Sequence, residues 1–253
     1  MRMHDNTIFI TGGTSGIGRG LAEAFHKLGN QVIISGRRED RLKDICGRNP
    51  GMRYFVLDVT DAGAIQETTR QVVSEFPAIN CVFNNAGVQM RISFAPGNTL
   101  DDQAIQHEIY ANLLGPIRVA AAFLPHLAKT SGATLVNVSS GLAFVPAARF
   151  PVYCATKAAI HAWTLSIREQ LKGSGIKAVE IIPPYVATEL GGADRAAPPP
   201  GAPIGVMSVD AFIAEAMQGL ESGADEIAVG DAKKLVAAAC LDNVKKVFSA
   251  INS

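Results

Sequence analysis

The sequence predicts a doubly wound α/β sheet, with about seven parallel strands and helices on both faces. Short apolar segments alternate with helical patterns along the 253-residue chain. Strict alternation with right-handed crossovers produces a sheet of this kind. The segments VIIS, LVNVS and VEII are apolar without a regular period of two. That composition is typical of parallel strands that are buried on both faces of a sheet.

Each element is assigned from its periodicity and its flanking residues. Strands are expected at residues 6–11, 31–35, 52–57, 79–83, 133–138, 176–182 and 226–229. Helices are expected at residues 16–28, 39–47, 61–75, 99–129, 151–172 and 208–221. No repeat or linker interrupts this order, so residues 1–253 are predicted to form a single domain.

One segment breaks the alternation of strands and helices. Residues 191–207 read GGADRAAPPPGAPIGVM and lie between the sixth predicted strand and the last predicted helix. A loop of this length is usually functional or mobile, and it follows a strand end on the side of the sheet where ligands bind. We interpret a segment at about residues 188–207 as a substrate loop; a plain surface insertion is the alternative.

Composition excludes several classes of partner. Lys and Arg together number 23, as do Asp and Glu, so there is no basic excess for a nucleic acid or a membrane surface. No apolar run approaches the ~18 residues of a transmembrane helix, and the first strand begins too early for a signal peptide. A cytoplasmic protein is therefore expected. The four Cys and five His residues show no metal-ligand spacing, so no metal is expected.

A glycine-rich segment, TGGTSGIG at residues 11–18, follows the first strand and opens the first helix. Glycines allow positive φ angles and the close approach of a ligand to the backbone, and a helix N-terminus favours a pyrophosphate. Because Rossmann-type sheets bind a dinucleotide at this turn, we predict a cofactor there; a glycine-rich turn without a ligand is the alternative. The expected cofactor-binding residues are Gly12, Thr14, Ser15, Gly16, Ile17 and Gly18.

The residues after the second strand indicate which dinucleotide binds. An acidic residue at this point would bind the ribose 2′-hydroxyl of NAD and repel a 2′-phosphate. The chain has Ser35-Gly36-Arg37-Arg38 instead, and a guanidinium can bind a phosphate through two hydrogen bonds. NADP(H) is therefore predicted rather than NAD(H), with Arg37 as the main contact and Arg38 beside it. The alternative is that both arginines are solvated residues at a helix start.

Three further residues predict the class of reaction. Tyr153 and Lys157 are four residues apart on a predicted helix and so share one face, and Ser140 ends the fifth predicted strand. A free tyrosine has a pKa of about 10, and a neighbouring ammonium lowers that pKa by favouring the phenolate. The Ser140 hydroxyl could hold a substrate oxygen. By itself, the YxxxK spacing also arises by chance on many helices.

Together these motifs resemble the short-chain dehydrogenase/reductase family over nearly the whole chain. The resemblance is carried by TGGTSGIG, LDVT (57–60), NNAG (84–87), Asn112, NVSS (137–140), YCATK (153–157) and IIPPYVATEL (181–190). It implies one dinucleotide-binding and catalytic domain. The segment SGLAFVPAARFPVYCATKAA and the late EIAVG resemble a narrower bacterial subgroup, the oxidoreductases associated with D-alanine esterification of teichoic acids.

The resemblance implies roles for individual residues. Tyr153 would be the general acid in carbonyl reduction and the base in alcohol oxidation, while Ser140 would bind the carbonyl oxygen. Lys157 would bind the nicotinamide ribose, and Asn112 would support a proton relay through Lys157. Tyr153 and Lys157 also count among the expected cofactor contacts. The others are Asp58 at the adenine, Thr188 at the carboxamide, and Val59, Asn85, Ala86, Gly87, Pro183 and Val186 along the cofactor path.

The chain offers one alternative serine and departs from the family at one proline. Ser139 adjoins Ser140, but Ser140 lies at the usual family spacing from Tyr153 and is preferred. The family usually has Pro-Gly after the sixth strand, whereas here Pro183 is followed by Pro184. Because proline fixes φ and removes a hydrogen-bond donor, one backbone contact in this segment stays open.

The sequence therefore predicts an NADP(H)-dependent oxidoreductase that moves a hydride between nicotinamide and a carbonyl or alcohol of a small to medium substrate. A nucleotide-binding regulator without turnover is the alternative on the same fold, and the lack of a separate substrate domain disfavours a nucleotide-sugar epimerase or dehydratase. The family implies a homodimer or homotetramer, and neither nucleic acid nor membrane is expected as a partner. The substrate pocket is expected around Leu142, Phe144, Val145, Arg149, Arg195 and the 188–207 segment.

Overall fold

A seven-stranded sheet lies at the centre of the structure, a computed structural model that describes residues 1–192 and 204–239. Its strands are β1 (Thr7–Thr11), β2 (Gln31–Gly36), β3 (Arg53–Val56), β4 (Ile79–Asn84), β5 (Thr134–Val138), β6 (Lys177–Ile182) and β7 (Glu226–Ala228). Their order is β3-β2-β1-β4-β5-β6-β7, and every neighbouring pair is parallel. The predicted doubly wound parallel sheet is confirmed.

Helices connect the strands and cover both faces of the sheet. They are α1 (Gly16–Lys27), α2 (Glu39–Arg48), α3 (Ala62–Glu75), α4 (Asp102–Ile109), α5 (Gly115–Leu127), α6 (Pro151–Gln170), α7 (Val209–Glu221) and α8 (Ala232–Ala237). Side-chain caps mark several starts: Asp61 accepts hydrogen bonds from two amides of α3, and Ser208 accepts one from α7, which satisfies donors that the helix leaves unpaired. Within the described residues, no helix is long and apolar enough to cross a membrane.

Side chains of each strand alternate between two apolar layers. In β1, Ile8 belongs to the layer that α1, α2 and α7 cover, whereas Phe9 belongs to the layer beneath α3 and α5. The ring of Phe25 in α1 packs 5.5 Å from that of Phe83 in β4. On the opposite face, the ring of Phe9 packs 5.1 Å from that of Phe123 in α5. The inner strands β1, β2, β4, β5 and β6 are thus buried on both sides, as the apolar strand segments predict.

The long helix predicted at residues 99–129 is divided in the structure. α4 ends at Ile109, a π-helical turn spans Tyr110–Leu114, and α5 follows directly. Single π turns inside helices are frequent at functional sites, and hydrophobic periodicity does not reveal a change confined to one turn. Two further elements are too short for periodicity to detect: a 3₁₀ turn at Gly141–Ala143, and α8.

Candidate active site

The residues predicted to bind a cofactor meet in one cleft at the carboxyl ends of the strands. The cleft has a volume of about 480 Å³ and opens beside β1 and β4, the neighbouring strands at which the strand order reverses. Open α/β sheets bind their ligands at such a point. Every predicted catalytic or cofactor-binding residue except Asn112 lines it: Gly12, Thr14, Ser15, Gly16, Ile17, Gly18, Arg37, Arg38, Asp58, Val59, Asn85, Ala86, Gly87, Ser140, Tyr153, Lys157, Pro183, Val186 and Thr188.

The glycine turn between β1 and α1 needs its glycines for backbone shape and for close packing. Gly12 and Gly16 have φ angles of +70° and +53°, which residues with a Cβ rarely adopt. A Cβ on Gly18 would lie 2.3 Å from the Gly12 carbonyl oxygen and 2.3 Å from Nδ2 of Asn85. Part of the glycine pattern that the sequence attributes to a ligand is therefore required by packing within the chain.

The start of α1 suits an anionic group. Its first turn carries no acidic side chain, and the hydroxyl of its N-cap residue, Ser15, makes no capping hydrogen bond. Ser15, Gly16 and Ile17 all line the cleft. The positive end of the helix dipole therefore meets the cleft without a competing carboxylate, and a dinucleotide pyrophosphate fits this turn.

Asn85 and Thr11 brace the glycine turn from the β4 side. The Asn85 side-chain amide donates hydrogen bonds to the carbonyl oxygens of Thr11, at 3.0 Å, and Gly12, at 3.2 Å. The Thr11 hydroxyl donates to the Phe83 carbonyl at 3.2 Å and accepts a hydrogen bond from the main-chain amide of Asn85 at 3.0 Å. Asn85, predicted to line the cofactor path, thus also fixes the shape of the turn, and sequence reasoning missed Thr11.

Arg38 reaches the glycine turn, whereas Arg37 turns toward the segment after β3. Nη2 of Arg38 donates to the hydroxyls of Thr14, at 3.0 Å, and Ser15, at 3.3 Å. Nη1 of Arg37 lies 3.9 Å from Oδ2 of Asp58. The sequence names Arg37 as the main phosphate contact. In the structure both guanidinium groups border the same part of the cleft, and Arg38 already touches two of its residues.

Glu189 brings the segment after β6 to the same end of the cleft. Its Oε2 lies 2.6 Å from Nη1 of Arg41 and 3.2 Å from Nη1 of Arg38. Hydrogen bonds from Arg41 and then Arg38 lower the pKa of this exposed carboxyl. The carboxylate therefore occupies part of the hydrogen-bonding capacity of Arg38 that an incoming phosphate would use.

Three buried residues stand at the other end of the cleft. Tyr153 and Lys157 lie on one face of α6, and Ser140 follows β5; their exposed fractions are 5%, 5% and 6%. Nζ of Lys157 lies 5.7 Å from the centre of the Tyr153 ring and donates to the Val138 carbonyl at 2.8 Å. The ammonium group is thus held beside the phenol ring by a backbone carbonyl of β5.

Burial and nearby carboxylates act in opposite directions on Lys157. Burial lowers the pKa of its ammonium to about 8, while the carboxylates of Glu180 and Glu108 oppose that fall. Loss of hydration disfavours the charged form, and an opposite charge in a poorly solvated site restores it. Such an ammonium can stabilise the phenolate form of a neighbouring tyrosine.

The two adjacent serines point in different directions. The Ser139 hydroxyl lies 3.5 Å from the Ile181 carbonyl of β6, whereas the Ser140 hydroxyl accepts a hydrogen bond from the Leu142 amide at 3.1 Å. The preference for Ser140 as the substrate contact stays a prediction. The Pro183 carbonyl accepts a hydrogen bond from the Gly141 amide at 2.9 Å. The segments after β5 and β6 are therefore joined by a backbone hydrogen bond although Pro184 follows directly.

Asn112 lies outside the cleft surface and holds the loop after β4. It is fully buried within the π turn. Its Oδ1 accepts from the Val88 amide at 2.8 Å, and its Nδ2 donates to the Val88 carbonyl at 2.8 Å and to the Thr156 hydroxyl at 3.3 Å. A Cβ on Gly87 would lie 3.0 Å from Oδ1 of Asn112 and 3.8 Å from Nζ of Lys157. The predicted relay role of Asn112 stays a prediction.

Mostly apolar side chains line the part of the cleft around Tyr153. Of the 188–207 segment, residues 188–192 and Ile204 line the cleft, while Arg195 lies outside the described residues. The pocket also contains two basic side chains. Its lining includes Leu142, Phe150, Leu190, Ile204 and Leu235, together with the basic His107 and Arg149.

Two residues predicted for the substrate pocket are not part of its wall. The Phe144 ring packs 4.5 Å from the ring of His161. Val145 is fully buried in an apolar cluster with Tyr153 and Cys154. The short 3₁₀ turn after Ser140 redirects the chain, so a strand-end extrapolation from Ser140 places these two side chains wrongly.

Sequence reasoning missed two fully buried carboxyl groups, Glu108 and Glu180. Oε1 of Glu108 accepts from the Met90 amide at 2.9 Å, and burial raises the pKa of this carboxyl to about 7. Glu180 stands within the VEII segment of β6. A signal was available there, because a charged residue inside a strand predicted to be buried on both faces requires a partner. The helical pattern around Glu108 gives no such signal.

The described residues near the catalytic end include no metal centre. Within residues 1–192 and 204–239, no group of three or more His, Cys, Asp or Glu side chains is placed to hold a metal ion. Cys154, next to Tyr153 in the sequence, is buried, and this burial raises the pKa of its thiol to about 11. A thiol with such a pKa is inert at neutral pH and serves packing.

Several known proteins with related sequences are named as oxidoreductases, reductases or dehydrogenases. A family model described as short chain dehydrogenase matches residues 6–198. The chain is 39% identical to the uncharacterized oxidoreductase DltE of Bacillus subtilis over 227 residues, which are 90% of this chain and 89% of DltE. It is 34% identical to sulfoacetaldehyde reductase 2 of Chromohalobacter salexigens, covering 72% of this chain and 73% of that protein. It is also 34% identical to serine 3-dehydrogenase of Agrobacterium fabrum, with the same two coverages.

Solved structures share the fold. A short chain dehydrogenase from Burkholderia cenocepacia, in complex with NADP, superposes with a TM-score of 0.84 at 24% identity, over the full length of both chains. The 3-ketoacyl-(acyl-carrier-protein) reductase of Brucella melitensis, complexed with NADH, gives a TM-score of 0.79 at 19% identity over 91% of this chain and 100% of that one. The match to DltE confirms the resemblance to the narrower bacterial subgroup.

Proposed function

Because the chain belongs to the short-chain dehydrogenase family, we propose that it is an NADP(H)-dependent oxidoreductase that moves a hydride between nicotinamide and a carbonyl or alcohol carbon, with Tyr153 as general acid and base. One observation carries the proposal. Ser140, Tyr153 and Lys157 border one end of a single cleft whose other end is the glycine turn. This arrangement supports proton transfer at one end and dinucleotide binding along the remainder.

The side chains at the catalytic end divide the work of carbonyl reduction. When bound, NADPH supplies the hydride. The Ser140 hydroxyl holds the substrate oxygen, and the Tyr153 hydroxyl donates a proton to it. The Lys157 ammonium, fixed on the Val138 carbonyl at 2.8 Å, stabilises the phenolate that Tyr153 becomes. Low solvent exposure strengthens each of these interactions. In alcohol oxidation the proton moves in the opposite direction.

Charge near β2 supports NADP(H) over NAD(H). The segment after β2 contributes Arg37 and Arg38 to the cleft and no acidic residue. A 2′-phosphate beside the glycine turn would meet Arg38, which contacts Thr14 and Ser15. Structural neighbours with bound NADP and with bound NADH both occur, so the preference rests on these arginines.

Cofactor titration tests this part of the proposal. NADPH and NADH are titrated against the wild type, Arg37→Ala, Arg38→Ala and a control, Arg48→Ala, which removes a cation that pairs with Asp44 on α2 outside the cleft. We expect the wild type to bind NADPH at least about tenfold more tightly than NADH, and one or both cleft variants to lose that preference. Arg48→Ala keeps it. Equal affinity for the two cofactors in the wild type contradicts the assignment.

Basic side chains in the substrate pocket support an acidic substrate. His107 and Arg149 line the pocket among apolar side chains. The acidic residues that line the described part of the cleft are Asp58 and Glu189. They pair with Arg37 and Arg38 at the adenosine end, which is the end of the cleft that would hold the adenosine of the cofactor. A guanidinium binds a carboxylate or a sulfonate through paired hydrogen bonds. Two relatives are named for compounds that carry such groups, sulfoacetaldehyde and serine. The substrate we propose is a small carbonyl compound with an acidic group.

Matched substrate pairs test the substrate class. Aldehydes that carry a carboxylate or sulfonate are compared with neutral aldehydes of the same length, using NADPH oxidation as the readout. Arg149→Met should raise KM for the acidic member about tenfold or more and leave the neutral member within about twofold. In Arg149→Lys, which keeps the charge, the KM for the acidic member should lie between the values for the wild type and Arg149→Met. A wild type that prefers the neutral members contradicts this class.

A further inference from the structure

A row of buried polar side chains crosses the sheet beneath α5 and α6. Asn84 of β4, Asn137 of β5 and Glu180 of β6 are register partners in neighbouring strands, with exposed fractions of 3%, 0% and 0%. Asn84 donates to Oδ1 of Asn137 at 2.9 Å, and Asn137 donates to the Thr164 hydroxyl of α6 at 3.0 Å. The asparagines thus have neutral partners, while Glu180 adds an ionisable group to the row.

Glu180 contacts α6 through His161. Its Oε2 lies 2.8 Å from Nδ1 of His161, whose side chain is 22% exposed. Its other oxygen, Oε1, has no hydrogen-bond partner among the described residues. A buried carboxylate is costly unless an opposite charge compensates it. Lys157 lies one helical turn before His161, on the same face of α6, and its ammonium is held on the Val138 carbonyl of β5.

We propose that Glu180, held by His161, is a positioning residue for Lys157, and that its carboxylate is the buried counter-charge that keeps the Lys157 ammonium protonated. Both groups lie in the buried layer between α6 and strands β5 and β6, and their opposite charges act on each other through space, beyond the distance of a direct ion pair. The consequence for catalysis rests on the proposed function, because there the charge of Lys157 acts on Tyr153.

The electrostatics of the site support this pairing. Burial lowers the pKa of Lys157 to about 8, and Glu180 is the strongest influence that opposes the fall, ahead of Glu108. The other titratable side chains of α6 on this face are Tyr153, His161 and Arg168, and the Arg168 guanidinium donates to the Ala178 carbonyl of β6 and pairs with Glu226. Together with the contact between Glu180 and His161 on the same face of α6, this makes Glu180 the candidate counter-charge for the buried ammonium.

Glu108 has a different task. Its Oε1 accepts from the Met90 amide at 2.9 Å, so it holds the loop that follows β4. Burial raises the pKa of Glu108 to about 7. A carboxyl with such a pKa is partly protonated at neutral pH and supplies only a fraction of a negative charge to Lys157.

Direct titration of Lys157 tests the proposal. The full chain is labelled with ¹³C at the lysine Cε atoms, and the Lys157 signal is identified by its absence from Lys157→Met. In Glu180→Gln the titration midpoint should fall by about one pH unit or more. Thr164→Val is the matched control, because it removes a hydrogen bond from the same buried row without changing charge, and it should leave the midpoint in place. A midpoint in Glu180→Gln equal to that of the wild type overturns the proposal.

A second pair of variants applies if Glu180→Gln does not fold. His161 is partly exposed, so substitutions there are tolerated more easily. His161→Gln keeps a donor for the carboxylate, whereas His161→Leu removes it and favours protonation of Glu180. The titration midpoint of Lys157 should fall in His161→Leu and remain at the wild-type value in His161→Gln. Equal midpoints in the two variants contradict the proposal.

The pH profile of carbonyl reduction supplies the functional readout. Reduction needs the proton on Tyr153 and the charge on Lys157, and removal of a negative charge makes either group lose its proton at lower pH. The alkaline limb in Glu180→Gln should therefore move to lower pH by about the same amount as the Lys157 midpoint. A rate that is lower at every pH with an unmoved limb indicates a structural role only. If the wild type reduces no carbonyl, the proposed function fails, while the lysine titration still decides this inference.

Discussion

The two ends of the cleft use charge in opposite ways. At the adenosine end, the side chains of Arg37, Arg38 and Glu189 are 57%, 43% and 57% exposed. At the catalytic end, Tyr153 and Lys157 are each 5% exposed. Solvent screens exposed ion pairs, which contribute about 0–1 kcal/mol each, whereas buried charges escape most of that screening. In the proposed function, cofactor recognition thus relies on several weak contacts, and the chemistry relies on a few strong ones.

Tyr153→Phe should produce the largest effect, because it removes a buried hydroxyl and keeps the ring. We expect kcat to fall by about 10²–10⁴-fold, while the Kd for NADPH stays within about twofold. Turnover is followed by NADPH absorbance and binding by fluorescence titration. A variant with normal turnover would remove Tyr153 from its proposed role. A wild type that binds NADPH and never turns over would favour the nucleotide-binding regulator.

Gly18→Ala should have the next largest effect, because it alters the glycine turn between β1 and α1. The added Cβ would meet the Gly12 carbonyl oxygen and the Asn85 amide at 2.3 Å each, so we expect a loss of about 1–3 kcal/mol in the free energy of unfolding together with weaker NADPH binding. Gly47→Ala in α2 is the control, because a Cβ there meets nothing within 4 Å. It should stabilise the protein by up to about 1 kcal/mol. Equal unfolding midpoints in the two variants would contradict this account of the turn.

Ionic strength should affect cofactor binding and catalysis to different extents, which distinguishes the two ends of the cleft without any substitution. Raising the salt concentration from about 50 to 500 mM shortens the screening length to a few ångströms. The Kd for NADPH should therefore rise about three- to tenfold, whereas kcat at saturating NADPH should change less than about twofold. The measurement is a pair of titrations and rate series at constant pH. A parallel fall of affinity and kcat would show that the catalytic end is as open to solvent as the other.

Glu189→Gln should have the smallest effect, in the direction of tighter binding. The carboxylate pairs with Arg38 at 3.2 Å and with Arg41 at 2.6 Å, so its removal frees a guanidinium for the 2′-phosphate. We expect the Kd for NADPH to fall about two- to fivefold, a change consistent with the loss of an exposed ion pair. The Kd for NADH should equal that of the wild type. Asp44→Asn, which breaks the exposed pair with Arg48, is the control and should change neither value. Weaker NADPH binding in Glu189→Gln would reverse the assigned role.

Residues whose placement depends on strand ends were predictable from the sequence. The carboxyl ends of parallel strands meet at one edge, so motifs after β1, β2 and β4 had to converge. That reasoning reached Gly12 and Arg37, and the family resemblance added Asn85; all three line the cleft. The sheet and most element bounds were likewise predictable, because they follow from hydrophobic periodicity and flanking residues.

Residues whose placement depends on packing between distant elements were not predictable in the same way. The bracing of the glycine turn by Thr11 comes from contacts with β4. The π turn at Asn112 changes a helix by one turn without changing its apolar pattern. The contact of Glu180 with His161 joins β6 to α6. Of these features, only Glu180 was indicated by the sequence, because a charged residue inside a buried apolar strand requires a partner.

Transfer of label from the cofactor to a product tests the central claim most directly. Purified protein is incubated with NADPH carrying deuterium at both C4 positions of the nicotinamide and with a panel of small aldehydes, and the alcohols formed are analysed by mass spectrometry. The account predicts one deuterium on the carbinol carbon with the wild type, and about 10²–10⁴-fold less labelled product with Tyr153→Phe. A wild type that binds NADPH and yields no labelled alcohol from any member of the panel would contradict it.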